Sequence, residues 1–209
     1  MTPIATGRVA RVLDVLIAAV LLILLGILML LIAAAVRLES RGPALFRQRR
    51  VGRGGRPFTM LKFRTMSVGV DDGGLRDLIG RELRGEDTVV DGSSKLAGDS
   101  RITAFGSLLR RSSLDELPQL FNVLRGDMAL VGPRPCLEWE AQLFPEEFLP
   151  RFAVRPGLTG LWQVSGRSRL GTLDMLRLDL EYVRRRSLRV DLLILLRTVP
   201  ALLGGNGAR

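Results

Sequence analysis

Residues 15–36 form a run of 22 positions without a charge, almost all of them Leu, Ile, Val or Ala. As a helix this run spans about 33 Å, close to the hydrocarbon thickness of a bilayer. A secretory leader has a shorter apolar core, of roughly 7–15 residues, followed by an A-x-A cleavage site. Here Ala33-Ala34-Ala35 leads into Val36-Arg37-Leu38, which does not continue such a site. A buried helix of a soluble protein competes with a membrane segment, and the length of the run favours the membrane. Arg8 and Arg11 precede it, and Arg37, Arg41, Arg47, Arg49 and Arg50 follow it. Basic flanks are retained on the cytoplasmic side, so a simple span has to export Arg8 and Arg11. A re-entrant hairpin keeps both flanks on one face but needs a break at mid-depth. Gly26 is the one breaker available, at a helix cost of only about 1 kcal/mol. Asp14 is expected at headgroup level in either arrangement.

Outside this run the chain is strongly basic, with 31 Lys and Arg against 21 Asp and Glu. It contains no histidine, which excludes a Ser-His-Asp triad, a Cys-His dyad and histidine metal sites. A single cysteine, Cys136, excludes an internal disulfide. Residues 40–57 are rich in Gly, Pro and Arg and predict turns, between two short strands at 44–46 and 58–63 that pair as a hairpin. Residues 67–99 are polar and predict a mobile excursion. Leu173, Leu176, Leu180 and Val183 recur at helical spacing, with Arg177, Arg184 and Arg185 largely opposite. Such a basic amphipathic helix lies on anionic lipid or packs on its own domain. The expected fold class is a membrane-associated α+β protein. It is mainly helical, with a small β-hairpin, an N-terminal membrane helix in residues 1–36 and interfacial amphipathic helices in residues 37–209.

Candidate chemistry is concentrated in residues 110–120, Arg110-Arg111-Ser112-Ser113-Leu114-Asp115-Glu116-Leu117-Pro118-Gln119-Leu120. Ser113-x-x-Glu116 has the spacing of a capping box, and Pro118 is tolerated in a first helical turn. A capping box accounts for one acid but not for two adjacent ones beside Arg110 and Arg111. Carboxylates at a helix start serve as nucleophiles or Mg²⁺ ligands, and phosphate binds at such sites. Farther along, Arg134 stands between Pro133 and Pro135, which aim its guanidinium as a phosphate clamp requires. Arg155-Pro156-Gly157 and Gln163-Val164-Ser165-Gly166-Arg167 repeat arginine beside turn residues, which points to an anionic ligand.

These motifs resemble the monotopic phosphoglycosyl transferases, the bacterial sugar transferase family that starts polyprenol-linked glycan assembly. The matching pieces are Lys62-Phe63-Arg64-Thr65-Met66, Asp99-Ser100-Arg101-Ile102-Thr103, Ser113 through Leu120, Asn122 through Pro135, the turns from Arg155 to Arg167, and Ser187-Leu188-Arg189-Val190-Asp191. They run in family order over almost the whole chain from Asp14, in the form of a minimal catalytic unit. The resemblance implies a ping-pong reaction in which Asp115 attacks the sugar-bearing phosphate of a nucleotide diphosphate sugar, usually a UDP-sugar. UMP leaves, and polyprenol phosphate then takes the phosphosugar. It implies that Glu116 is associated with Mg²⁺ and that Arg134, Arg110, Arg155, Arg167 and Gln163 bind the donor. Lys62 and Arg64 are expected at the lipid phosphate or at headgroups. It also implies a re-entrant membrane helix, a bilayer partner and a catalytic domain on the cytoplasmic face of the bacterial inner membrane, and it admits a homodimer. The family commonly breaks its membrane helix at a Ser-Pro pair, and no proline occurs here between Pro3 and Pro43. Two other classes compete: a non-catalytic membrane scaffold of the same fold, which the intact acid pair opposes, and a nucleic-acid-binding protein, which the net charge of +10 allows. For the latter no binding motif is present, nucleic acid is not expected as a partner, and few aromatic residues offer stacking.

Overall fold

A computed structural model describes residues 3–66, 73–86, 88, 102–166 and 170–203. Helix α1 (Pro3–Glu39) comes first and is 37 residues long, about 55 Å at 1.5 Å per residue. Two strands follow, β1 (Leu45–Val51) and β2 (Pro57–Phe63), paired antiparallel with Leu45 opposite Phe63 and Val51 opposite Pro57. The hairpin expected from sequence is therefore present, and its first strand runs five residues beyond the expected 44–46, through an arginine-rich stretch whose polarity hid it. Helix α2 (Gly73–Leu83) lies where a loop was expected. Glu82 near its end accepts hydrogen bonds from the backbone N–H and the hydroxyl of Thr172, so the segment is tied to the core. Residues 67–72, 87 and 89–99 of the expected excursion, and the Asp99-Ser100-Arg101 motif, lie outside the described residues.

Helices α3 (Ala104–Ser112) and α4 (Gln119–Arg125) flank the acidic pair. Thr103 caps α3 by accepting from the Gly106 N–H at 3.0 Å, and α4 ends at Gly126 with φ 95°. Strand β3 (Ala129–Val131) pairs in parallel with β4 (Gly157–Thr159). Between them lie α5 (Glu138–Leu143) and a 3-10 segment (Glu146–Ala153), and after them come α6 (Leu161–Ser165), α7 (Thr172–Arg185) and α8 (Leu188–Leu203).

Helix α1 runs through Gly26 as one continuous helix, without the interruption expected there for a re-entrant hairpin. The physical reason is local. Glycine keeps its N–H, its neighbours are good helix formers, and nothing lies within 4 Å of where a Cβ at Gly26 would stand, so no contact forces a kink. What α1 does show is two sides and two anchors. One side packs on the domain: Ala18 with Met60, Leu120 and Val123, and Met29, Ile32 and Val36 with Phe63 and Leu109. The other leaves Ile23, Leu24, Ile27 and Leu30 at least 70% exposed. Near its start, Arg11 donates to the Val123 and Leu124 carbonyls at 2.6 and 2.9 Å, satisfying the C-terminal end of α4, while Asp14 accepts from the Leu130 N–H at 3.0 Å. At its end, Arg64 donates to the Val36 and Ser40 carbonyls. Both ends of the most apolar helix are thus fastened to the same domain.

Helix α7, expected either on lipid or on its own domain, packs on its own domain. Leu176 and Leu180 meet Phe144 and Phe148, and Asp179 and Tyr182 are fully buried. Aromatic side chains of the 3-10 segment cover its apolar stripe, so of the two arrangements the sequence allowed that stripe takes the packed one. Helix α8 differs: Ile194 is buried, while Leu192, Leu193, Leu196 and Val199 remain exposed.

Candidate active site

Helix α3 stops because Ser113 adopts a left-handed conformation, φ 58° and ψ 17°, the one non-glycine positive φ among the described residues. A 3-10 turn, Leu114–Glu116, follows and passes through Pro118 into α4. The two carboxylates therefore occupy a tight elbow between helices. The capping box expected at Ser113 does not form: Ser113 closes α3 rather than opening α4, and its side chain makes no cap bond. The Glu116 carboxylate turns instead to Lys62 on β2, whose Nζ lies 2.7 Å from Glu116 Oε1 and 3.9 Å from Asp115 Oδ2.

Strand β2 and the elbow are held in register by one side chain. Asn122, fully buried on α4, accepts from the Leu61 N–H at 3.0 Å and donates to the Thr59 carbonyl at 2.7 Å and to Asp127 at 3.2 Å. Its amide continues the strand's hydrogen bonding and sets Lys62 against the acids. Burial pushes the Asp115 carboxyl above its ordinary value; Lys62 pulls it back, Glu116 pushes it up again, and the charge of Arg110 at the end of α3 lowers it.

Across from this acidic bank stands a loop at 132–135 that follows β3. Gly132 donates to the Thr159 carbonyl and Gly157 to the Pro133 carbonyl, each at 2.9 Å. The two backbones approach so closely that a Cβ at Gly157 would lie 2.1 Å from the Gly132 nitrogen, so glycine is required there. Behind the loop, Arg151 donates to the Arg134 carbonyl at 2.8 Å and pairs with Asp179 at 2.6 Å, both side chains 1% exposed. Phe144 and Phe152 rings stand 5.1 and 5.3 Å from the Arg151 guanidinium. So held, Arg134 lays its guanidinium over the Trp162 ring, 5.7 Å from the centroid. The cleft between the banks is lined by Arg50, Lys62, Glu116, Gln119, Arg134 and Gln163, with Met60, Pro135, Gly157 and Leu158.

The sequence-selected residues divide sharply. Asp115, Glu116, Lys62, Arg134 and Gln163 converge, and Arg110 acts on Asp115 through its charge. Arg64 does not join them; it is buried and caps the end of α1, where Gly42 leaves room for its guanidinium. Arg155 belongs to a different group, its guanidinium made less basic by burial and by the charges of Arg11, Arg53 and Arg186, with Asp14 nearby opposing them. Arg167 lies outside the described residues. Sequence reasoning missed Arg50, Gln119 and Asn122. The signal was available for the last two, since they are polar residues three apart on the face of α4 that also buries Leu120 and Val123.

A divalent cation can be tested against this donor set. Among the described residues no group of three or more Asp, Glu, Cys or His could hold a metal by itself. Mg²⁺, however, is usually held by one or two carboxylates together with substrate phosphates and water. Glu116, which lines a cleft with Arg50, Lys62 and Arg134 and stands next to Asp115, fits a metal that arrives with a diphosphate.

Residues 5–205 match the family described as bacterial sugar transferase. A UDP-glucose:undecaprenyl-phosphate glucose-1-phosphate transferase of Caulobacter vibrioides is 46% identical over 207 residues, covering 95% of this chain and 71% of that protein. The exopolysaccharide production protein ExoY of Rhizobium meliloti is 40% identical, covering 97% of this chain and 88% of its own length. An undecaprenyl-phosphate galactose phosphotransferase of Salmonella typhimurium is 38% identical over 95% of this chain and 41% of its own length. Placed in that company by nearly its whole length, the chain belongs to the bacterial sugar transferase family and is a transferase enzyme.

Proposed function

We propose that this enzyme moves a sugar phosphate from a nucleotide diphosphate sugar, a UDP-sugar, to polyprenol phosphate, releasing UMP and forming polyprenyl diphosphate sugar. The observation that carries the reading is the cleft itself, in which the Asp115–Glu116 elbow with Lys62 faces Arg134. A diphosphate needs cations to bind and a nucleophile to be cleaved, and these two banks supply both. The names of the relatives support the substrate class.

In this mechanism Arg134 and Lys62 bind and orient the diphosphate. A carboxylate oxygen of Asp115 attacks the phosphorus that bears the sugar, and the bond from that phosphorus to the bridging oxygen breaks. UMP departs with the electron pair, and the phosphosugar remains on Asp115 as an acyl phosphate. The phosphate oxygen of polyprenol phosphate then attacks the same phosphorus and displaces the Asp115 carboxylate. No base is needed in either half, because both nucleophiles are already anions. Glu116, together with the substrate phosphates, would hold Mg²⁺, which would supply charge neutralisation of the diphosphate. Lys62 holds Glu116 in place between turnovers and leaves for the phosphate on binding.

The acceptor's phosphate lies at a membrane surface, and the exposed stripe of α1 fits insertion there. The helix has a mean hydropathy of 3.4 in its most apolar window and is mostly unburied. Because Arg11 and Arg64 fasten its two ends to one domain, we place both ends on one face of the bilayer, the cytoplasmic face of the inner membrane. Cysteines at Thr6 and Arg41 in a Cys136→Ser background should both resist an impermeant maleimide in intact cells and react after lysis; labelling of Thr6 alone in intact cells would make α1 a simple span.

The reaction is tested by incubating the protein with a UDP-sugar and no acceptor, followed by intact-mass and peptide analysis. Wild type should gain one sugar phosphate on the peptide containing Asp115, and Asp115→Asn should gain none and lose turnover. An Asp115→Asn variant with full activity would overturn the nucleophile.

A further inference from the structure

Gln163 was expected among the residues that bind the donor or its phosphates, and its chemistry in the folded chain is of the wrong sign for a phosphate. Its Nε2 donates to the Leu158 carbonyl at 3.1 Å. That bond fixes the orientation of the amide, since the flipped form would set oxygen against oxygen. The free end is therefore Oε1, which is buried and has no hydrogen-bond partner among the described residues. A buried acceptor left unpaired is costly, and such atoms call for an explanation. The side chain lines the cleft together with Arg134, Lys62 and Glu116. A Cβ at Gly160 would stand 2.8 Å from Oε1, so the glycine keeps that side of the oxygen free of a side chain.

An ionised diphosphate offers acceptors only, and another acceptor repels it. The uncharged parts of a UDP-sugar offer donors: the N3–H of uracil, the ribose hydroxyls and the hydroxyls of the transferred sugar. We propose that Gln163 Oε1 is a specificity-determining acceptor that takes a hydrogen bond from an N–H or O–H of the donor substrate, beside the diphosphate that Arg134 holds. This rests on the UDP-sugar reading of the cleft. Free UDP-sugar satisfies the buried oxygen on binding, and a donor lacking that one hydrogen leaves it stranded.

The test measures kcat/KM for the full chain in detergent with polyprenol phosphate as acceptor. The donors are the preferred UDP-sugar, its N3-methyluracil analogue, its two ribose-deoxy analogues and its sugar-deoxy series. Wild type should reject one of these analogues by about tenfold or more, the scale of one lost hydrogen bond. Gln163→Leu and Gln163→Met keep the bulk without the acceptor. Each should lose about tenfold toward the unmodified donor and treat it and the rejected analogue alike. Which arm responds tells uracil from ribose from sugar. A rejection that persists in both variants is steric and overturns the proposal, as does a wild type that turns over UDP-sugars yet accepts every analogue equally. The latter leaves the proposed function standing. A wild type that turns over no UDP-sugar overturns the function, and this inference with it. Analogue discrimination by wild type needs no variant, so a misfolded Gln163→Leu does not remove the test.

Discussion

The two banks of the cleft are built on opposite principles. The acidic bank sits on a three-residue turn that follows a strained Ser113, is held by the amide of Asn122, and keeps its own charges largely buried beside Lys62. The arginine bank sits on a loop between prolines whose carbonyl is gripped by an ion pair with both side chains 1% exposed. The reactive group is thus placed by local geometry and neutral hydrogen bonds, with the Lys62 ammonium beside it to offset its burial. The binding group is placed by buried charge, which cannot move without large cost. The difference separates stability from chemistry: damage to the arginine bank should show first in folding and donor affinity, damage to the acidic bank first in turnover.

The largest expected effect follows from removing Asp179. Asp179→Ala leaves Arg151 charged and buried, which should cost about 3–5 kcal/mol of stability in thermal or denaturant unfolding. The pair replaced together, Arg151→Met with Asp179→Leu, should recover most of that stability. It cannot restore the bond to the Arg134 carbonyl, so the KM for donor should stay raised. If the double replacement restores KM as well, the ion pair does not position Arg134.

Asn122→Ala comes next. It strands the buried Leu61 N–H and the half-buried Thr59 carbonyl, at about 1–3 kcal/mol. Its kinetic signature should be a fall in kcat with little change in KM. Because the banks share no side chain, the stability losses of Asn122→Ala and Asp179→Ala should add to within about 0.5 kcal/mol in the double variant. Strong coupling would mean the two banks are one unit.

The same contrast explains what was legible in the sequence. Asp115, Glu116 and Arg134 could be read because their neighbours, Pro118, Pro133 and Pro135, restrict the backbone wherever the chain folds. Arg64 could not: it stands two residues after Lys62, just past the end of β2, where it meets the open carbonyls of α1 instead of a carboxylate. Helix α1 was visible as a long apolar run, yet its anchoring by Arg11 on α4 joins residues 112 positions apart, which no local pattern records. The capping box failed for a related reason. Spacing alone does not reveal that Ser113 turns left-handed, and once it does Glu116 is free to find Lys62.

Lys62→Met should sharpen the comparison through pH. Asp115 must be ionised to attack, and burial already holds its pKa above the ordinary carboxylate value while Lys62 holds it down. Removing the ammonium moves that pKa further up, so the acid limb of kcat/KM shifts to higher pH. The deficit, about a hundredfold near neutrality by analogy with the loss of one charge-stabilising donor, should shrink as pH rises. An acid limb that stays in place or moves down would show that Lys62 acts on Glu116 or on substrate alone.

The smallest expected effect lies at Ser113. A non-glycine residue in the left-handed region costs about 1–2 kcal/mol, and glycine removes that strain while adding freedom to the unfolded chain. The two oppose each other, so Ser113→Gly should change stability by less than about 1 kcal/mol, in the stabilising direction. Ser113→Val, β-branched and poorly suited to φ 58°, should lose about 1–2 kcal/mol. Activity should run the other way from stability in the glycine variant. The elbow that a strained serine fixes becomes a hinge, Asp115 samples positions away from the cleft, and kcat should fall several-fold with KM unchanged. If Ser113→Gly gains stability and keeps full kcat, the strain is incidental, and the acidic bank is positioned by Asn122 alone.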